Sequence, residues 1–320
     1  MSGTLILGGG GMVGQRLAHA LAADGATDVT LADIGFPPDG APASARITGS
    51  VTDAALIRRL VAARPDPIFH LAAIVSGEAE AEYLKGWDIN AHAFWTFLEA
   101  VRTEHEGSGG AYRPRIVFTS SIAVFGPPFP DKIPDDFLTA PATSYGAQKA
   151  SCELLLTDAS RKGFVDGIAI RLPTICVRPG KPNKAASGFF SGIIREPLNG
   201  QEAILPVDPS VRHWHASPRS AVHFLKHAAL LGLDDLGTRR ALTMPGLSCT
   251  VEEQIEALRA EAGSDAVALI RSEPDETIRR IVAGWPRDFA PARAIALGFR
   301  AEADFREIVQ IHIADTKTNQ

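Results

Sequence analysis

Tyr145-Gly146-Ala147-Gln148-Lys149 is a segment whose residue types and spacing can do chemistry. On a helix, Tyr145 and Lys149 stand at i and i+4 and share one face. A free tyrosine has a pKa near ~10 and is a poor base at neutral pH. A lysine ammonium beside it favours the phenolate. Such a phenolate can accept a hydroxyl proton while a hydride leaves the same carbon. Tyr-x-x-x-Lys arises often by chance, so it needs company. Thr119-Ser120-Ser121 closes the apolar run that begins at Arg115, and a serine hydroxyl there can hold the reacting oxygen. Ser121 is the candidate, and Ser120 reads as strand-end capping. The three candidate catalytic residues are Tyr145, Lys149 and Ser121.

A second chemical feature lies at the start of the chain. Gly8-Gly9-Gly10-Gly11-Met12-Val13-Gly14 follows the apolar run Thr4–Leu7. The spacing of Gly8, Gly11 and Gly14 fits a turn that cradles a dinucleotide. Glycine is needed where the chain turns tightly, where backbone approaches pyrophosphate, and where helix meets strand. Met12 and Val13 open the next helix, whose N-terminus offers N–H donors to phosphate. Asp33 follows at the end of a second apolar run, where an acid binds the adenosine ribose hydroxyls. Asp33 would repel a 2′-phosphate, and Ile34-Gly35-Phe36 offers no arginine to receive one. The expected cofactor is NAD rather than NADP.

These residues need elements to position them. Strands are expected at 4–7, 28–34, 68–72, 115–119 and 167–172, and helices at 12–23, 54–63, 83–105 and 145–161. Strand, helix, strand, repeated, implies parallel pairing with right-handed crossovers and helices on both faces. The fold expected is α/β: a doubly wound parallel sheet of the Rossmann type, with a smaller mixed C-terminal substrate-binding region. Residues 1–173 would hold the dinucleotide, with segments near 218–245 returning to the sheet, and 174–217 and 246–320 the substrate. Residues 173–218 carry Pro, Gly, Lys and Arg with little periodicity. Further helices are expected at 218–231, 251–262 and 301–314, and a strand at 241–244.

Bulk composition agrees. At 320 residues the chain is long enough to bury a sizeable core, and its net charge of -5 gives no attraction to nucleic acid or anionic membrane. Cys152, Cys176 and Cys249 are odd in number and scattered, which fits a reducing compartment and no disulfide framework. No basic, apolar leader and no long apolar span is read, so the cytoplasm is expected. His213 with His215, and His223 with His227 at i, i+4, could bind zinc, but no Cys or acidic cluster joins them and no metal is expected.

Taken together, Gly8 to Gly14, His70-Leu71-Ala72-Ala73, Thr119 to Gly126 and Tyr145 to Lys149 resemble the extended short-chain dehydrogenase/reductase superfamily. That group includes the nucleotide-sugar epimerases and dehydratases. The resemblance covers essentially the whole chain. It implies that Ser121, Tyr145 and Lys149 are the catalytic trio. It implies that Leu71, Ala72, Ala73, Asn90 and Pro173 contact the dinucleotide, with Lys149 on the nicotinamide ribose. Ser50 and Val51 fall at the adenine position, with Ser50 where an Asp is usual, and Phe125 replaces a usual Tyr. Helices 83–105 and 145–161 resemble the pair that builds a homodimer interface in this superfamily.

The trio does not choose the reaction. Sugar dehydratases place an acidic pair directly after the catalytic serine or threonine, whereas Ile122 and Ala123 follow Ser121 here. Outside the cofactor motifs, residues 72–78, 163–167, 171–183, 187–198 and 212–219 are similar to the D-erythronate dehydrogenases. That similarity implies oxidation of the C2 hydroxyl of a four-carbon sugar acid. Arg178, Lys181 and Lys184 could meet the carboxylate, and an Arg fork binds one in two contacts. Ser76, Thr174, Asn183 and Ser187 could bind the remaining hydroxyls. A nucleotide-sugar epimerase, with Arg212 and Arg219 toward a diphosphate, is the alternative, and a non-catalytic dinucleotide sensor a third.

Overall fold

Short apolar runs separated by helices leave each strand little choice but to pair with a neighbour and bury both faces. The computed structural model describes residues 3–180 and 186–318. Seven strands form one sheet: β1 (Thr4–Leu7), β2 (Val29–Asp33), β3 (Ala45–Thr48), β4 (Ile68–His70), β5 (Arg115–Ser121), β6 (Asp166–Leu172) and β7 (Ala241–Thr243). Their order is β7-β6-β5-β4-β1-β2-β3, and every pairing is parallel. The order reverses between β1 and β4, which makes the carboxyl ends of those strands the crevice where doubly wound sheets take ligands.

The chain divides into two compact units. The first comprises Met1–Val124, Thr143–Leu172 and Val222–Thr243 and contains the whole seven-stranded sheet. Helices Ala54–Ala62, Ala93–Gly107 and Ser144–Arg161 share a core with the sheet, in which Leu56, Phe94, Phe97, Cys152 and Leu156 meet Leu5, Ile68, Ile116 and Phe118. Full burial of each Phe or Leu contributes on the order of 1.5–3 kcal/mol.

The second comprises Phe125–Ala142, Pro173–Ala221 and Met244–Gln320. Strand Arg212–Ala216 is central to a three-stranded sheet, antiparallel to Leu247–Thr250 and parallel to Thr174–Ile175. Helices Gly188–Leu198, Val251–Val267 and Phe305–Thr318 cover a core of Phe190, Ile193, Leu205, Leu258, Ile308 and Val309. Thr250 and Glu253 form a reciprocal cap that starts the second of these helices. That helix runs past the expected end at 262, bending at Gly263 with φ 81°. No helix among the described residues is long and apolar enough to cross a membrane.

Three departures from the sequence expectations have local causes. The segment expected as one helix over 83–105 is Tyr83–Trp87, a π turn Asp88–His92, then Ala93–Gly107. Asn90, buried in the π turn, bonds both backbone groups of Ile74, and the extra residue in the turn accompanies that contact. The strand expected over 68–72 stops at His70, after which Leu71 to Val75 form a loop. Within the segment read as having little periodicity, Gly188–Leu198 is a helix, because Phe189, Phe190, Ile193 and Ile194 give it an apolar stripe.

Candidate active site

The glycine turn does what its spacing requires. Gly8 takes φ +86°, and a Cβ there would lie 2.6 Å from the Ala72 backbone nitrogen. At Gly14 a Cβ would lie 2.3 Å from the Gly8 carbonyl oxygen, so helix Met12–Ala23 sits against the turn only without a side chain. Gly11 is different: a Cβ would meet nothing closer than 3.5 Å, and no side chain caps the helix. The uncapped N-terminus and the open space at Gly11 fit a pyrophosphate. Asp33 is held at the rim, its carboxylate accepting from Gly10 N at 2.9 Å and from Ile34 N at 2.7 Å. Each oxygen keeps a further lone pair for a ribose hydroxyl.

The other residues expected along a dinucleotide are placed variously. Leu71 N donates to the Leu7 carbonyl at 2.8 Å, which carries the loop Leu71-Ala72-Ala73 off the end of β4. Val51 packs on the core, and Ser50 is engaged with Thr52 at 2.8 Å. Asn90 does not present its amide outward. It donates to the Ile74 carbonyl (3.2 Å) and to Gln148 Oε1 (2.7 Å), and accepts from Ile74 N (2.9 Å). Any part it plays toward a cofactor runs through the loop it anchors.

Tyr145, Lys149 and Ser121 come together as their spacing implies. Thr143 caps helix Ser144–Arg161, accepting from Gly146 N at 3.1 Å, and so fixes where Tyr145 stands. Ser121 ends β5, accepts from Ala123 N at 3.1 Å and hydrogen-bonds the Tyr145 phenol. Lys149 is buried, with Nζ 4.7 Å from the Phe118 ring centre and 5.7 Å from that of Tyr145. It donates to the Thr119 carbonyl at 2.9 Å. Burial pushes its pKa down to about 8, with Cys152 and Glu153 opposing, so it remains a cation at neutral pH.

One electrostatic expectation is corrected. By spacing alone Lys149 should pull the Tyr145 phenol down, yet burial raises it to about 12 and only the Ser121 bond lowers it. Lys149 spends its nearest contact on a carbonyl, and desolvation of the phenolate wins.

Sequence reasoning passed over the support beneath this trio. Glu153, one further helical turn along the Tyr145–Lys149 face, is buried. It accepts from Ser120 Oγ at 2.5 Å and from Arg171 Nε and Nη2 at 2.9 and 2.6 Å. Ser120 is therefore a ligand of this carboxylate, and Arg171 lies opposite it on β6. Gln148 was likewise missed. The spacing 145, 149, 153 was the readable signal for Glu153, and Gln148 had none.

Within the second unit, Arg178 donates to Ser187 Oγ at 3.1 Å, and its backbone N donates to Ser191 Oγ at 3.0 Å. Burial lowers the Arg178 pKa. Thr174 Oγ1 lies 2.7 Å from His213 Nε2. Pro173 is buried, and Ser187 precedes helix Gly188–Leu198. Asn183, Lys181 and Lys184 lie outside the described residues. In the first unit, Ser76 opens the short helix Ser76–Ala81. Arg212 bonds the Ser248 carbonyl at 2.9 Å, and Arg219 is paired with Asp315 at 2.8 Å. His213 and His215 are packed in a ring cluster, and His223 stacks on His227 at 5.9 Å.

Comparison with known proteins fits this geometry. The chain is 42% identical over 322 residues to a D-erythronate dehydrogenase of Cupriavidus necator, covering 97% of this chain and 98% of that one. It is 40% identical over 311 residues to a D-erythronate dehydrogenase of Haemophilus influenzae, covering 96% and 97%. A solved structure from Agrobacterium tumefaciens, described as a nucleoside-diphosphate-sugar epimerase, superposes with TM-score 0.94 at 54% identity, covering 100% and 96%. Residues 4–216 match the NAD dependent epimerase/dehydratase family. The chain belongs to that family, as an oxidoreductase on a Rossmann-type sheet with NAD as its cofactor.

Proposed function

We propose that the protein oxidises the C2 hydroxyl of a four-carbon sugar acid of the D-erythronate type to the 2-keto acid. The observation that carries this reading is 42% and 40% identity, across nearly the whole chain, to two proteins named D-erythronate dehydrogenase. When bound, NAD supplies the hydride acceptor. The first unit would hold it: Gly8, Gly11, Met12, Val13 and Gly14 at the pyrophosphate, Asp33 at the adenosine ribose, and the loop at 71–73 along its length. Ser121 holds the C2 oxygen and Tyr145 takes its proton. Lys149 stays charged at neutral pH beside the ring, and the Ser121 bond is what lowers the phenol's pKa. Arg178 would engage the carboxylate, with Ser76, Thr174 and Ser187 on the remaining hydroxyls.

The test is NAD reduction across erythronate and threonate isomers, with five-carbon acids and NADP alongside. One NADH per keto acid from a four-carbon acid is the expected result. Activity confined to nucleotide sugars with no net NADH would establish the rival reading, epimerisation, which the description of the Agrobacterium structure favours. Against that rival, Arg212 and Arg219 are already engaged by Ser248 and Asp315.

Asp33 carries a second prediction. Asp33→Asn keeps the side chain's shape and removes the charge that repels a 2′-phosphate. kcat/KM with NADP is expected to rise about tenfold and that with NAD to fall about tenfold, since juxtaposed like charges cost several kcal/mol. Unchanged preference in steady-state kinetics with both cofactors would refute the assignment. We also infer a homodimer built on helices of segments 83–107 and 144–161, where Tyr83, Leu84, Trp95 and Leu154 are exposed apolar side chains. Sedimentation gives the mass directly. The free, buried Cys152, Cys176 and Cys249 support a reducing cytoplasm.

A further inference from the structure

Gln148 sits one residue before Lys149 in helix Ser144–Arg161 and is fully buried. Its Oε1 accepts from Asn90 Nδ2 at 2.7 Å. One turn further along the same helix, Cys152 Sγ donates to the Asn90 backbone carbonyl at 3.2 Å. Residues at i and i+4 share a helix face. Two contacts a turn apart, both on one residue, fix the rotation and the slide of the helix against the π turn that holds Asn90. Gly86 leaves the room this needs, since a Cβ there would lie 2.7 Å from Gln148 Nε2.

Asn90 uses the rest of its amide on the loop Leu71–Val75. Its second amide hydrogen goes to the Ile74 carbonyl at 3.2 Å, and its oxygen accepts from Ile74 N at 2.9 Å. The other end of that loop lies against the glycine turn. Leu71 N donates to the Leu7 carbonyl at 2.8 Å, and Gly8 has space only for hydrogen beside Ala72 N. One chain of contacts therefore runs from the glycine turn, through the loop and Asn90, to the helix that carries Tyr145 and Lys149. Every member belongs to the first compact unit. Gln148 gives folding little in return. Its Nε2 has no hydrogen-bond partner among the described residues. A buried donor left unmade costs at least what one made bond contributes.

We infer that Gln148 is a positioning residue for hydride transfer: through Asn90 it sets the spacing between the loop Leu71–Val75 and Tyr145, and it touches neither cofactor nor substrate. The inference rests on the proposed function for the substrate and for the role of Tyr145. The chemical step is sensitive to such spacing, because a misplacement of about 1 Å can cost about 10²-fold in rate. Dinucleotide affinity is far less sensitive, since the glycine turn and Asp33 offer their contacts without this bridge.

The experiment is single-turnover NADH formation from erythronate, with 2-deuterated erythronate to identify the hydride step. The amplitude counts competent sites and the rate constant does not depend on their number, so a purely structural role moves the first and not the second. Gln148→Met keeps the bulk and flexibility of the side chain and removes both polar atoms. It is expected to slow the hydride step about tenfold or more. Its Tm is expected to move by no more than about 3 °C, and its affinity for NAD to hold. Asn90→Ala breaks the same bridge and slows the step at least as much, and adding Gln148→Met to it costs nothing further. Should Asn90→Ala fail to fold, Gln148→Met alone decides. A wild-type rate constant in Gln148→Met overturns the inference and leaves the proposed function standing, whether or not amplitude and Tm fall. A further loss in the double variant also overturns it, because Gln148 would then act by a route other than Asn90. If the wild type reduces NAD with no sugar acid, the proposed function fails and this inference with it.

Discussion

Tyr145→Phe loses turnover by about 10²–10⁴-fold while dinucleotide binding and folding persist, the range that a positioned acid–base group supplies. The substitution removes one oxygen and keeps the ring beside Lys149 and the helix cap at Thr143. It leaves Ser121 without its phenol partner, but Ser121 still accepts from Ala123 N. A phenol that burial holds near 12 is costly to ionise, so removing it relieves no buried charge and should leave stability unchanged. Single-turnover NADH formation, fluorescence titration of NAD and a thermal melt separate the three quantities. Retention of more than a tenth of wild-type turnover by well-folded protein would show that another group takes the proton.

Glu153→Ala should be the most destabilising single change near the site. It removes the carboxylate that accepts two hydrogen bonds from the buried Arg171 and one from Ser120 Oγ. Removing one member of a buried ion pair costs up to roughly 3–5 kcal/mol, less by whatever the guanidinium's other contacts retain. A drop in Tm on the order of 5–10 °C follows for a chain of this size. Removing both partners, as Glu153→Met with Arg171→Met, should recover much of the loss. A single mutant within about 1 kcal/mol of wild type by denaturant titration would mean that the Arg171 guanidinium is held well enough without Glu153. The catalytic consequence is separate: Ser120 neighbours Ser121, so a loosened strand end should lower kcat as well as Tm.

What the sequence made legible divides along physical lines. The strand alternation, the glycine spacing and the i, i+4 pair were readable because each is a local pattern: a period, a turn, a helical face. Tyr145 and Lys149 meet because α-helical geometry requires it. The partners brought in by tertiary structure were not readable. Nothing in Thr119 announces that its carbonyl will hold Lys149, and nothing in Arg171 announces Glu153, eighteen residues earlier. β3 was missed because Ala45-Arg46-Ile47-Thr48 has only one strongly apolar side chain and pairs along the sheet edge beside β2. The predicted fall in the Tyr145 pKa failed for a related reason. Spacing gives proximity to a charge, but not the burial that opposes it.

The π turn at Asp88–His92 also takes up one residue more than an α turn would. Each residue of an α-helix advances about 100° around the axis and 1.5 Å along it. An extra residue in a plain helix would swing everything after it through that angle, but here the widened turn absorbs it, and Phe94 and Phe97 stay in the core with Trp95 outside. Shortening the turn by one residue would therefore return regular α geometry and keep Ala93–Gly107 in phase. The loss would fall on Asn90, whose bonds to both backbone groups of Ile74 accompany the widened turn.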